Sequence, residues 1–110
     1  MSAFFESEII KEALDDINKL QEDVYGKLVH FHMMTYDEQI DHVSKLTELL
    51  DKQRIMYTRL SLSDDPEAVV MKERLNTTVT MMGYPEGTDM AVLFKNMHAT
   101  IDALKEFLEA

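Results

Sequence analysis

Carboxylates at helical spacing are the residues of this chain best placed to do chemistry. Glu48 and Asp51 stand three apart in Glu48-Leu49-Leu50-Asp51, and Glu8, Glu12 and Asp15 fall on neighbouring turns of an earlier segment. If such groups converged from facing helices, they would suit magnesium, a hard cation that takes oxygen ligands and keeps positions free for phosphates. The histidines invite a second reading. His30 and His32 are two apart, which places them on nearly opposite sides of a helix, whereas Glu38 and His42 are four apart and share a face. The paired Glu-x-x-His steps of di-iron bundles are missing, as is the His-Glu-x-x-His of zinc hydrolases. The chain has no cysteine, which excludes disulfides, thiolate metal sites and cysteine nucleophiles and agrees with a reducing cytoplasm. No Ser/His/Asp set can be assembled, and there is no glycine-rich phosphate loop. The residues therefore name no catalytic group, no metal ligand and no cofactor, and the chain reads as a non-enzyme.

Two alternatives stay open beside that reading. All-α nucleoside triphosphate pyrophosphatases hold magnesium with a Glu-Glu-x-x-Glu segment plus Glu-x-x-Asp, and only the second half stands here, at Glu48 and Asp51. An acidic decoy of DNA would set carboxylates such as Asp15, Asp16, Glu22 and Asp23 at phosphate-like spacing, although lysines distributed through the same segments argue against it.

The elements that must position these groups are helices. Ile10, Leu14, Ile17, Val24, Leu28 and Phe31 recur at steps of three, four and seven, with Gln21 as the one polar member. Tyr36, Ile40, Val43, Leu46, Leu50, Tyr57 and Leu60 form a second seam interrupted by Gln53, and Met90, Phe94, Met97, Ile101, Leu104 and Leu108 form a third. Such spacing gathers each set on one helix face, which needs a partner to cover it. The chain of 110 residues is read as one all-α domain with helices over about 3–34, 36–61, 65–82 and 89–108. Thr35-Tyr36-Asp37-Glu38 is a capping box that starts the second helix, and with no Gly or Pro nearby the turn before it is expected to be tight. The first two helices then form a long antiparallel hairpin. Ser63-Asp64-Asp65-Pro66 starts the third, in which Asn76-Thr77-Thr78-Val79-Thr80 is rich in weak helix formers. Gly83 is its expected stop, followed by the loop Tyr84-Pro85-Glu86-Gly87.

The two shorter helices are too short to cover the whole hairpin seam. The bundle is therefore expected to be completed by dimerisation, as a homodimer or higher oligomer. Nine methionines serve either as gap-filling core or as an adaptable groove for a partner. Phe4 and Phe5, ahead of the main seam, and Tyr84, in the loop, are the candidate partner contacts; the two phenylalanines can equally cap the core. With 21 acidic against 11 basic residues and a net charge of −10, the surface repels phosphate backbones, so nucleic acid is not an expected partner. No apolar run approaches the ~20 residues of a bilayer span, and the opening residues lack the basic stretch of a signal peptide. The expected setting is soluble and cytoplasmic.

Three stretches carry a resemblance: Ala3-Phe4-Phe5-Glu6-Ser7-Glu8-Ile9-Ile10, Arg54-Ile55-Met56-Tyr57-Thr58-Arg59-Leu60-Ser61-Leu62-Ser63-Asp64-Asp65, and Met97-His98-Ala99-Thr100-Ile101-Asp102. In that order the chain resembles a family of short cyanobacterial proteins of unknown function (domain-of-unknown-function family 1825), also found in cyanophages. Residues 24–50 match it only in helical pattern. The resemblance implies a cyanobacterial or phage source, with the host cytoplasm as the setting in the second case, and implies no activity or site residue. The expected role is that of a small acidic regulatory or adaptor protein that self-associates and binds an unknown host protein.

Overall fold

A computed structural model describes residues 3–110 and, among them, contains five α-helices and no strand. These are α1 (Ala3–Glu6), α2 (Glu8–Leu28), α3 (Tyr36–Leu62), α4 (Pro66–Met81) and α5 (Met90–Glu109), with a single 3₁₀ turn at Phe31–Met33. The molecule is all-α. It is also flat, with extents of 46 × 34 × 19 Å. The long dimension fits α3, whose 27 residues span about 40 Å at ~1.5 Å per residue.

Helix α3 is the centre of the layer. It packs against α2 on one side and α5 on the other, with α4 across its C-terminal part. Two lines of residues, each repeating every seven, make this possible. His42, Leu49 and Met56 are buried along one line, and Val43, Leu50 and Tyr57 along the next. The first line feeds a core cluster with Ile10, Ile17 and Val24 of α2, and the second a cluster with Phe94 of α5. Neighbouring positions on a helix differ by about 100°, so adjacent seams look toward different neighbours. The second seam carried the α5-facing line together with Leu46, which packs on the α2-side cluster; the line His42, Leu49 and Met56 was not part of it.

The helix expected over 3–34 is interrupted twice. At Ser7 the backbone turns extended (φ −62°, ψ 131°), and the N–H of Lys11 donates to the Ser7 carbonyl at 2.9 Å, so a new helix starts there. Serine is a favoured residue at such a start. The amide of Phe4 donates to Asp65 Oδ2 at 2.9 Å, which ties α1 to the beginning of α4. Helix α2 stops at Leu28, and the connection to α3 is longer than the tight turn expected. Val29, His30 and Phe31 are weak helix formers. Tertiary contacts hold this segment off the helical path: Gln39 Nε2 donates to the Phe31 carbonyl at 2.9 Å, and the Phe31 ring lies 5.5 Å from that of His42. The capping box itself forms as read, with Glu38 N–H donating to Thr35 Oγ1 and Thr35 N–H donating to Glu38 Oε1, both at 3.2 Å.

One of the weak helix formers in α4, Asn76, has a tertiary role. Asn76 Oδ1 accepts from the Met90 N–H at 2.9 Å, satisfying an orphan donor at the start of α5. The Tyr57 hydroxyl lies 3.1 Å from Asn76 Oδ1 and 3.0 Å from Asp89 Oδ2, and its one proton is available to either. Asp89 also caps α5 by accepting from Ala91 N–H at 2.8 Å. A single phenol thus joins α3, α4 and the start of α5. Gly83 and Gly87 adopt positive φ (102° and 87°) on either side of the connecting loop, a conformation that suits residues lacking Cβ.

Two substitutions test this description. Tyr57→Phe keeps the packed ring but leaves Asn76 and Asp89 without their shared donor, so urea unfolding is expected to show a loss of about 1–2 kcal/mol. Gly26→Ala is expected to stabilise by about 0.5–1 kcal/mol, because Gly26 lies within α2 and an added Cβ would meet nothing within 4 Å. A lower melting temperature for that variant would contradict the helical assignment at this position.

Candidate functional site

The carboxylates singled out by spacing do not gather. Glu48 stands 4.0 Å from Lys52, and Asp51 stands 3.9 Å from Arg54 Nε and 3.8 Å from His98 Nε2 on α5. Glu8 pairs with Lys11 at 3.8 Å, and Asp15 with Lys19 at 2.8 Å. Among the described residues no group of three or more Asp, Glu or His is placed to hold a metal ion. The decoy arrangement fares similarly, since lysines interleave its carboxylates. Asp23 contacts Lys27 at 3.0 Å and Lys45 at 3.3 Å, and Asp16 contacts Lys52 at 3.9 Å. Hydrogen bonds from Lys27 and then Lys45 hold the Asp23 carboxyl below its usual range, while Asp23 and Asp41 raise the Lys45 ammonium. These exposed pairs contribute little stability. The α2–α3 pairs, Asp23–Lys45 and Asp16–Lys52, flank the apolar seam between those helices. Arg54 pairs with Asp51, while Asp65 caps α4 by accepting from Glu67 N–H at 3.0 Å.

Glu38 and His42 share α3 but not a site, because the Glu38 carboxylate is occupied by the capping box. His42 is only 2% exposed, and neither ring nitrogen has a hydrogen-bond partner. Burial, followed by the nearby Lys27 charge, lowers its pKa from the ordinary 6.5. The imidazole is therefore held neutral among apolar neighbours.

The most distinctive surface is apolar. A groove of about 450 Å³ opens between α2 and α5, with α3 as its floor and α4 closing one end. Gln53, Met56, Tyr57 and Leu60 form the floor; Leu14, Ile17 and Tyr25 come from α2, and Met90, Leu93, Phe94 and Met97 from α5. Met71 and Leu75 come from α4, Met82 from its C-terminal cap, and Phe5 from α1. None of the lining side chains is charged, in a chain where 29% of residues are. Five of the nine methionines line it. Unbranched, polarizable methionine side chains repack around differently shaped partners at low cost. The groove arises because α3 is wide enough in its apolar coverage to hold α2 and α5 apart, leaving the strip between them open.

The candidate contacts fall in different places. Phe4 and Phe5 are half-buried, meet edge to face at 5.0 Å, and pack on the cluster of Ile10, Ile17 and Val24; Phe5 also reaches the groove. Tyr84 lies outside the groove, and its hydroxyl accepts from Asn96 Nδ2 at 3.1 Å, holding the loop against α5. The methionine excess suggested an adaptable groove as one of two roles but could not place it, because the five methionines that line it are spread over α3, α4 with its C-terminal cap, and α5. Gln53, noted as an interruption of a seam, was the one signal that this stretch of α3 is not fully covered.

The fold and groove define a class: a small helical layer with an uncovered apolar face and no converged reactive groups among the described residues. The model of one family, described as Domain of unknown function (DUF1825), matches residues 2–108. The chain belongs to that family. No curated protein and no solved structure matches it. Among the described residues, no helix is long and apolar enough to cross a membrane.

His42 supplies a pH prediction. A base whose folded pKa lies below its unfolded value binds more protons unfolded, so stability falls as pH drops below about 6.5 and levels off below the folded pKa. His42→Leu is expected to remove that component and to raise stability at pH 7 by about 1 kcal/mol, by eliminating buried nitrogens without partners. Denaturant unfolding between pH 7.5 and 4.5 measures both. An acid limb identical in the variant would assign it to other groups.

Proposed function

We propose that this is a small, non-enzymatic regulatory or adaptor protein that acts by binding protein, with the methionine-lined groove as its binding surface. One observation carries the reading: a concave apolar strip without a charged lining residue, on a chain in which 29% of residues are charged. Charge depletion at the centre, with aromatic and methionine side chains enriched, is the composition of interface cores. The proposed setting, drawn from the resemblance to cyanobacterial and cyanophage sequences, is the cytoplasm of such a cell, whether the chain is its own or brought by a phage. A host protein is the proposed partner, and neither nucleic acid nor a cofactor enters this reading.

The test compares two baits in lysate from a cyanobacterium. The native chain is expected to retain a defined protein at near-physiological salt, identified by mass spectrometry, and Met97→Glu is expected to lose it. Met97 is 40% exposed on the groove wall, so the added carboxylate charges the strip with little effect on the core. Equal recovery of that protein by both baits would count against the groove as its binding surface, and recovery of the bait alone would count against a host partner.

A further inference from the structure

The groove has a size, a charge and a polar centre that select among protein occupants. Resting on the reading that the groove binds protein, we propose that a second copy of this chain covers it, the two copies meeting face to face about a two-fold axis over Gln53.

Surface area is the first argument. The chain exposes 7476 Å², about 1,200 Å² more than the roughly 6,300 Å² expected of a compact monomer of 12.8 kDa. A standard protein–protein interface takes about 800 Å² from each partner, so the excess accommodates one. Shape says the same: the radius of gyration is 15.8 Å, against about 13 Å for a compact domain of this length. A layer 19 Å thick becomes compact when a second layer is laid on it.

Charge is the second argument. Two copies of net charge −10 repel one another wherever their acidic faces approach. Contact between copies is least opposed where neither brings a charge, and the groove lining brings none. A basic partner would instead find its complement on the acidic faces outside the groove. The lining holds one amide. Gln53 lies on the α3 floor, and a primary amide both donates and accepts. Across a two-fold axis it is complementary to its own copy, which a charged residue at that place would not be.

Light scattering after gel filtration is expected to give about twice the 12.8 kDa chain mass, and raising salt should tighten the dimer by screening the repulsion between copies. Met97→Glu and, on the opposite wall, Tyr25→Glu should each give the single-chain mass with unchanged helix content by circular dichroism. The absence of native cysteine makes a chemical test clean. Gln53→Cys is expected to form an intermolecular disulfide under mild oxidation, while Lys19→Cys, on an exposed part of α2, is not. A native chain of single mass, a dimer that survives both charge variants, or cross-linking at Lys19→Cys in preference to Gln53→Cys would each overturn the second-copy occupant. A monomer that still captures a host protein in a Met97-sensitive way would overturn it while leaving the protein-binding reading intact.

Discussion

Helix α3 must satisfy two neighbours at once, and the rest of the structure follows from that constraint. Its lines His42-Leu49-Met56 and Val43-Leu50-Tyr57 are both buried, and each supplies the middle of a separate cluster. A helix with one apolar stripe would pair as a simple hairpin and bring its two neighbours together over the stripe. A helix with two adjacent stripes holds α2 and α5 on either flank, as a layer. The flat shape, the large exposed area and the open strip between α2 and α5 are consequences of this arrangement.

The same constraint explains where polar chemistry was placed. The Glu48–Asp51 step and the carboxylates of α2 lie off the apolar lines, where lysines and an arginine contact several of them. Groups spread around the outside of a layer do not converge, and magnesium ligation requires convergence. The buried polar side chain, His42, belongs to the α2-facing line and stays neutral because its surroundings disfavour charge. The strip over α3 is left to methionine, aromatic and aliphatic side chains, with Gln53 among them.

Tyr57, Asn76 and Asp89 illustrate how a poor local choice serves a global one. Asparagine weakens α4 as a helix, yet its amide oxygen accepts the Met90 N–H and lies within reach of the Tyr57 hydroxyl. Asp65 acts similarly, capping α4 with one oxygen and holding the Phe4 amide with the other. These two polar junctions connect chain segments 61, 32, 19 and 14 residues apart, and with the buried lines of α3 they hold the termini of the helices in place.

The amino-acid sequence by itself determined that the chain is helical, where α3 and α4 begin, and that Gly83 would end α4. Those outcomes rest on short-range physics: hydrophobic repetition, a capping box, an aspartate cap with proline behind it, and a glycine able to take positive φ. Tertiary structure alone decided that Ser7 would interrupt the first helix, that residues 29–35 would leave the helical path, that Asn76 would cap α5, and that Leu49 and Met56 would be buried as well as Leu50 and Tyr57. The groove belongs wholly to that second category. Periodicity reports which side of a helix is apolar; which part of that side a neighbour covers depends on the distance between other helices, and no local pattern encodes that distance.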